Sequence, residues 1–197
     1  VQVYRFTSGS FLEDQDYFRL TGITRDVFLW SAPKVQIRDY FATTQIDYAA
    51  KSAKVKISTD IQIAPKTKAA KDMTLTAEIW DNGKKVSEFS NRLDLSKSHN
   101  QEMELTVGNA KLWNAEQPNL YDLVLKLSQK GKTIDVRGSK LGIREVAVNE
   151  QGAITINGKP IKIHGVNRHD FSTTNGRTVS KEEMERDIML MKRLNIN

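Results

Sequence analysis

The chain has 197 residues and no cysteine, which excludes disulfides, thiolate metal sites and thiol nucleophiles together. Its 30 basic and 24 acidic residues give a net charge of +6, and no stretch approaches the roughly 20 apolar residues of a membrane span. A chain of this length can bury a core without cross-links, and the lack of cysteine leaves a cytoplasmic and a periplasmic location equally open.

The positive charge raises the question of a nucleic-acid partner, which would need basic residues on one face with aromatic rings to stack on bases. The lysines between residues 54 and 132 do not cluster in this way, because they fall at strand edges and turns with acidic residues among them. Solvated loops and the protection of edge strands account for such lysines. We therefore expect no nucleic acid and no membrane among the partners.

The first 30 residues predict two strands joined through a turn. The chain begins with alternating apolar and polar side chains, Ser8-Gly9-Ser10 predicts a turn, and residues 23–30 are again rich in apolar side chains. The acidic run Glu13-Asp14-Gln15-Asp16 lies between them. No basic and apolar leader is present, so we expect the chain to begin in the middle of a fold. Residues 1–32 are predicted to be the tail of a preceding β domain.

The central part of the chain has a period of two. Apolar residues alternate with polar ones from Val55 to Ile63, and the pattern recurs from Met73 to Ile79. Asp81-Asn82-Gly83-Lys84 predicts a tight turn, since Asn and Gly accept positive φ. About seven short strands at regular spacing are typical of an immunoglobulin-like sandwich of two sheets, which we assign to residues 33–145. The other predicted strands cover residues 35–46, 86–89, 103–107, 121–127 and 133–137.

Residues 146–197 combine strands, a polar cluster and a helix. Residues 154–171 predict a short hairpin, then a second alternating strand that runs into the polar cluster. A capping box of Ser180 and Glu183 precedes apolar residues at helical spacing, which predicts a helix from about Lys181 to Asn195. A strand, a loop and an amphipathic helix in this order are typical of the first unit of a (β/α) barrel, here expected to be truncated after that unit.

The polar cluster, His164 to Asp170, would lie at the carboxyl end of a barrel strand, where active sites of such barrels are built. His169 can donate or accept a hydrogen bond near neutral pH, Arg168 can hold a carboxylate, Asn167 offers a donor and an acceptor, and Asp170 can orient an imidazole. These properties predict a substrate-binding role. A loop whose polar groups only cap the barrel and hold one another is the alternative, and the residues alone leave both open.

Motifs in a fixed order run along the whole chain. They are SGSFLEDQD with RLTGI and RDV in residues 8–27, LWNAE with PNLY in residues 112–121, GIRE at residues 142–145, and NGKP with GVNRH in residues 157–169. In this order they resemble the glycoside hydrolases of family 2, and within that family the large β-galactosidases. The resemblance implies a mainly β fold: the tail of a jelly-roll sugar-binding domain, an immunoglobulin-like β-sandwich, and the first β/α unit of a truncated TIM barrel.

The resemblance also implies roles for particular residues. Asp16 matches a residue that reaches from the sugar-binding domain into the active site and contacts galactose hydroxyls and a bound sodium ion. The residues alone favour a turn or capping carboxylate at this position, and the resemblance reverses that preference. His169 matches a histidine that contacts the galactosyl group. Asn167 and Arg168 match the surrounding motif, and we expect them to support the site.

The reaction that the resemblance implies is retaining hydrolysis of terminal β-galactosides by two carboxyl groups about 5 Å apart. In the family both are glutamates on later barrel strands, with magnesium ligands near the acid/base. We therefore expect a β-galactosidase fragment that lacks both glutamates, is inactive alone, and has no cofactor of its own, while the full-length parent uses magnesium and sodium. Glu182, Glu183 and Glu185 are no substitutes, since the helical pattern puts them in the cap or on the solvated face.

A second class of function is a stand-alone sandwich that binds carbohydrate or protein. An exposed row of aromatic side chains would favour it, but Trp30, Trp80 and Trp113 lie near strand ends without such a row, and packing explains them better. The fragment hypothesis is therefore preferred. An isolated barrel unit cannot bury its apolar sides, so we expect it to pack on the sandwich, to associate with another copy or to remain mobile.

The glycan linkage, the aglycone, the compartment and the oligomeric state are not determined by the sequence. Other family 2 members cleave mannosides and glucuronides on the same architecture, and a resemblance in fold does not choose among these substrates. The acidic run that contains Asp16 favours galactosides.

Overall fold

The computed structural model describes residues 1–12, 19–67, 71–96 and 98–197. By its internal contacts the chain divides into a sandwich unit, Ser31–Lys162, and a second unit made of Val1–Trp30 with Ile163–Asn197. The predicted substrate and sodium ligand Asp16 lies outside the described residues. Within the described ranges, no helix has the length and apolarity that a membrane crossing requires.

The described residues of the sandwich unit form two large antiparallel sheets, and each strand predicted for it is confirmed. Their order is β1-β2-β5 in one sheet and β4-β3-β6-β7 in the other. The strands are β1 Val35–Asp47, β2 Ser52–Ile63, β3 Met73–Asp81, β4 Lys84–Leu93, β5 Asn100–Gly108, β6 Tyr121–Gln129 and β7 Lys132–Leu141. Two antiparallel sheets of this size and order make the mainly β, immunoglobulin-like architecture that the period of two predicted.

The core lies between these two sheets, because a strand turns every second side chain to the same face. Complete burial of an aliphatic side chain contributes about 1.5–3 kcal/mol, so the alternation itself selects the register in which the strands pair. The fully buried side chains include Ile37, Val55, Ile57, Ile61, Met73, Leu75, Ile79, Leu123, Leu125, Leu127 and Ile143.

Two tight turns connect neighbouring strands of the larger sheet. Between β3 and β4, Asn82 and Gly83 have φ of 48° and 81°, and between β6 and β7, Lys130 and Gly131 have φ of 50° and 78°. Two successive residues with positive φ form the turn whose twist matches that of antiparallel strands. The turn at Asn82 and Gly83 occurs where the sequence predicted it.

Glu78 is a buried carboxylate on the outward face of β3. Its neighbours in the strand, Ala77 and Ile79, point to the other face and belong to the core. The residue is only 5% exposed. The ammonium group of Lys126 donates to both carboxylate oxygens at 2.8 Å, the indole N–H of Trp80 donates at 3.0 Å, and the Lys85 ammonium lies 3.7 Å away. Full hydrogen bonding offsets the cost of burying the charge. The indole of Trp80 therefore belongs to a structural network.

A small sheet of three strands continues the sandwich unit. It consists of β8 Val146–Val148, β9 Ile154–Ile156 and β10 Lys159–Pro160 in the order β10-β9-β8. Asn157 and Gly158, with φ of 52° and 75°, make the turn from β9 to β10, as the hairpin prediction required. The side chain of Asn157 accepts from the backbone N–H of Glu145 at 3.0 Å and donates to the carbonyl of Trp113 at 2.9 Å. It therefore ties the hairpin to the end of the sandwich.

Trp113 packs between two residues of the Gly142-Ile143-Arg144-Glu145 motif. The guanidinium of Arg144 lies 4.4 Å from the centre of its ring. A Cβ at position 142 would come within 3.1 Å of the ring atoms Cγ and Cδ1. Because real Cβ contacts are rarely so short, only glycine allows the backbone to approach the indole this closely.

In its described residues, the second unit contains the helices α1 Gly9–Leu12 and α2 Lys181–Arg193. The predicted capping box is present: the Ser180 hydroxyl accepts from the N–H of Glu183 at 3.2 Å, and the Glu183 carboxylate accepts from the N–H of Ser180 at 2.9 Å. The helix ends two residues before the predicted Asn195. Asn195 has φ of 57°, a left-handed conformation that terminates a helix.

Three predicted strands are wrong in detail. Residues 1–12 and 19–30 contain a single helical turn and no strand, and residues 161–171 form no ladder. An alternating segment becomes a strand only when a neighbour pairs with its backbone groups, and the pattern of one segment does not show that neighbour. The segment still makes backbone hydrogen bonds. The N–H of Ile161 donates to the carbonyl of Ile154 at 2.9 Å, the carbonyl of His164 accepts from the N–H of Asn197 at 3.1 Å, and the backbone N–H of His164 donates to the side-chain oxygen of Asn197 at 3.0 Å.

The pKa of Glu78 makes stability dependent on pH. Burial opposes its ionisation, but the hydrogen bonds from Lys126 and Trp80 and the nearby positive charges outweigh burial and lower its pKa below the ordinary 4.5. A carboxyl group with a lower pKa in the folded state stabilises the fold above its unfolded pKa and loses this contribution as the pH falls through the folded pKa. We therefore expect the free energy of unfolding to drop on acidification, and to drop less in Glu78→Gln.

Urea unfolding, followed by tryptophan fluorescence from about pH 7 to about pH 3, measures this difference. At neutral pH Glu78→Gln should lose about 1–3 kcal/mol, because the amide leaves the Lys126 ammonium without its anionic partner. The exposed Glu102 of β5 provides the matched control, Glu102→Gln. Parallel pH profiles for the wild type and Glu78→Gln would contradict the role assigned to the network.

A methyl group at position 142 should destabilise the sandwich unit. Gly142→Ala forces Trp113 or the backbone to move, and such overpacking costs about 1–3 kcal/mol. Gly108→Ala is the control, since a Cβ at Gly108 meets nothing within 4 Å. Chemical denaturation compares the two variants, and equal stability of both would show that the close approach to Trp113 has no energetic weight.

Candidate functional site

The predicted polar cluster lies in the second unit, in the segment that precedes α2. Asn167 and His169 are exposed, and the side chain of Arg168 is 25% exposed. The chain thus presents an amide and an imidazole at its surface, beside a guanidinium that is mostly covered. Asp16 was expected at the same site, and its contacts lie outside the described residues.

The side chain of Arg168 is held by two carboxylates of the chain itself. Its Nε donates to Oδ2 of Asp187 in α2 at 2.8 Å, and its Nη2 lies 2.8 Å from the same oxygen. Its Nη1 donates to Oδ1 of Asp170. These contacts raise the pKa of Arg168, and the hydrogen bond to Asp170 has the largest effect. Both carboxylates that Arg168 holds belong to the chain itself.

The second oxygen of Asp170 faces another guanidinium. Nη2 of Arg25 donates to it at 2.8 Å, and Nη1 of Arg25 donates to the carbonyls of Thr24 at 3.0 Å and Arg177 at 3.2 Å. The hydrogen bond from Arg168, with Arg25 nearby, lowers the pKa of Asp170 below 3.8. Asp170 is consequently anionic at neutral pH, and both its oxygens accept from arginines.

His169 stands between two residues that are anchored in this way. Arg168 and Asp170 are two positions apart and their side chains meet, which is the neighbour relation of an extended segment and not of a helix. His169, the residue between them, is exposed. An imidazole can donate and accept hydrogen bonds with hydroxyl groups.

Glu183 connects the start of α2 with the loop before it. One of its oxygens accepts from the Ser172 hydroxyl at 2.8 Å, and the other accepts from the N–H of Ser180 at 2.9 Å. The pKa of Glu183 is lowered below 4.5, mainly by the hydrogen bond from the backbone N–H of Ser180. Both oxygens have structural partners, in agreement with the expectation that this glutamate belongs to the helix cap.

The described part of the chain holds no group of three or more histidine and acidic side chains arranged to bind a metal. The sodium ligand Asp16 remains a prediction because it lies outside that part. Magnesium ligands were expected only elsewhere in the full-length parent.

A groove of about 860 Å³ lies in the sandwich unit, where Phe41 and Tyr48 face the Arg144-Glu145 segment and β8. The polar groups that line it bind one another. Glu145 accepts from the N–H of Ile46 at 3.3 Å and from the Tyr48 hydroxyl at 3.1 Å. Burial, followed by the contact with Glu145, raises the pKa of Tyr48 above 10.0. These bonds join the end of β1 to the start of β8, so we interpret the groove as a structural seam.

Sequence reasoning missed Arg25 and Asp187. Arg25 lies in the quoted Arg25-Asp26-Val27 motif, and that motif was the only available signal for it. Asp187 lies among the charges of α2, where the helical pattern indicates only a solvated face. Their partners are 145 and 19 positions away along the chain. A periodic pattern does not contain this information.

Comparison with known proteins follows the division seen in the sequence. The family model described as Glycosyl hydrolases family 2 matches residues 35–144, and the model described as Glycosyl hydrolases family 2, TIM barrel domain, matches residues 146–197. Beta-galactosidases of Priestia megaterium and Pseudoalteromonas haloplanktis are each 38% identical over the whole chain, and that of Leuconostoc mesenteroides is 34% identical. The chain spans 19% of the length of each of these relatives.

Among solved structures, the β-glucuronidase of Ruminococcus gnavus is similar in fold. The match has a TM-score of 0.69 at 23% identity, and it covers 84% of this chain and 26% of that one. At this identity the likeness concerns the fold alone. The first family model covers more than half of the chain, and the two models follow one another in the order that the motifs predicted. The chain belongs to family 2 of the glycosyl hydrolases.

Proposed function

We propose that the chain is part of a retaining β-galactosidase, which hydrolyses terminal non-reducing β-D-galactose residues in β-galactosides. The observation that carries the proposal is the identity of 34–38% over the entire chain to relatives that are named beta-galactosidases. The proposed domains are residues 1–32, 33–145 and 146–197, in the order sugar-binding tail, sandwich and start of the barrel.

In this proposal the chain supplies contacts to the sugar. His169 contacts the galactosyl group, and its exposure and its position in the sequence between the paired Arg168 and Asp170 support this role. Asp16 contacts galactose hydroxyls and a sodium ion. Asn167 and Arg168 support the site, and the ion pairs of Arg168 with Asp170 and Asp187 favour support over direct contact.

The bond-breaking groups are proposed to lie in the rest of the full-length protein. Retention of configuration requires two carboxyl groups about 5 Å apart, one as nucleophile and one as acid and then base. Near the candidate site, the carboxylates of Asp170, Glu183 and Asp187 are all bonded to groups of the chain. None of them is available as half of such a pair, so we expect the 197-residue chain to be inactive, with magnesium and sodium needed only by the parent.

Incubation of the 197-residue chain with a chromogenic β-galactoside should give no turnover, while the full-length parent should hydrolyse it and release the β-anomer first, as proton NMR detects. His169→Ala in the parent should lower kcat/KM about 10- to 100-fold, through loss of one hydrogen-bonding contact. His99→Ala, in the sandwich unit, is the control. Turnover by the fragment after repurification would refute its inactivity, and a parent that prefers a β-glucuronide or β-mannoside would refute the substrate.

The second unit is also proposed to associate with another copy of the chain. Ile163, Ile188, Leu190 and Leu194 are between 55% and 64% exposed, an apolar surface that association would bury. Light scattering after size exclusion should show a dimer or larger species whose proportion rises with concentration. Ile188→Glu with Leu194→Glu should shift it to monomer, whereas Val136→Glu, at a sandwich position that is 50% exposed, should not. A monomer at all concentrations would contradict the proposal.

A further inference from the structure

Four charged residues form an alternating chain in the second unit. In order they are Arg25, Asp170, Arg168 and Asp187, with guanidinium nitrogens 2.8 Å from carboxylate oxygens at Arg25–Asp170 and Arg168–Asp187. They come from three separate parts of the sequence: the first 30 residues, the polar cluster and α2. Each inner member has two partners of opposite sign.

The ends of this chain are themselves fixed. Arg25 donates to the carbonyls of Thr24 and Arg177, which sets the plane of its guanidinium. Asp187 is part of α2, whose first turn is closed by the capping box of Ser180 and Glu183. The two inner residues, Asp170 and Arg168, are therefore each bonded to an outer residue that is itself held in place.

The inner residues are the immediate neighbours of His169. Asp187 holds Arg168, Arg25 holds Asp170, and Arg168 and Asp170 also pair with each other. With both neighbours tied, the backbone at His169 has less freedom, which narrows the directions that its side chain can take. Exposed ion pairs contribute little to stability, and the arrangement accordingly serves orientation more than stability.

We propose that Arg25 and Asp187 are positioning residues, which clamp Asp170 and Arg168 and so orient the imidazole of His169 toward the sugar. The substrate-related part of this statement rests on the proposed function, whereas the clamp itself does not. The two residues act through their ion pairs and need not touch the substrate.

The chain contains three histidines, His99, His164 and His169, so its imidazole NMR spectrum is simple enough to follow each ring. Arg25→Met and Asp187→Asn should each shift or broaden the His169 resonance and leave that of His99, in the sandwich unit, unchanged. Arg25→Lys should restore the wild-type position, since an ammonium can still pair with Asp170. A purely structural role would not be rescued in this selective way.

Matched controls lie in the same segments. Arg5→Met removes an arginine that stacks on Phe6, and Glu185→Gln removes a carboxylate of α2 that pairs with Lys181 at 3.6 Å. Both should leave the His169 resonance in place. Hydrogen exchange of residues 181–193 checks that α2 stays folded in every variant, so that a shift caused by unfolding is recognised.

A His169 resonance that stays unchanged in both Arg25→Met and Asp187→Asn would overturn the proposal, as would equal shifts in the two controls. Failure of the clamp is separable from failure of the proposed function. If the clamp variants move His169 but the parent does not hydrolyse β-galactosides, the positioning role stands and the substrate assignment falls. If the parent is active and the resonance is insensitive to both variants, only the clamp is wrong.

Discussion

The amide of Asn157 is the contact on which the sandwich unit depends beyond its core. By accepting from Glu145 and donating to Trp113, it joins the small sheet to the end of the sandwich at a turn that needs a residue with positive φ. Asparagine tolerates that conformation and also brings both a donor and an acceptor, which glycine does not. The motifs around residues 113, 142–145 and 157–158 are therefore one structural assembly, although they are far apart in the sequence.

The sandwich was predictable because its information is local. Alternation of apolar and polar side chains fixes which face of each strand is buried, and turn residues such as Asn82-Gly83 fix where strands reverse. Helix α2 was predictable for the same reason, since the Ser180–Glu183 capping box spans four residues. The strands expected in residues 1–30 and 161–171 failed because a ladder requires a partner strand, and an alternating segment does not specify one.

The candidate site shows the same division between local and non-local information. Motif and position identified Asn167, Arg168 and His169, but the residues alone left open whether the polar groups of the cluster bind a substrate or hold one another. The observed partners of Asp170 and Arg168 are Arg25 and Asp187, remote residues that no periodicity connects to the cluster. The sequence shows which groups a charged residue in a loop is able to bind. Only the fold shows which residues of the chain lie close enough to bind it.

Because the charged residues of the cluster bind other residues of the chain, we propose that they orient His169 and do not bind a ligand themselves. A guanidinium that already bonds two carboxylates has little capacity left for a ligand. Because its geometry is planar and rigid, the positions of its two partners restrict the backbone of the arginine that carries it. Such ion pairs at a partly exposed surface add little to the free energy of unfolding. They are still useful in a site, because orienting one imidazole requires a restricted side-chain direction and not a large stabilisation. In our proposal the alternating charges on either side of His169 therefore support this residue and are not part of the binding surface.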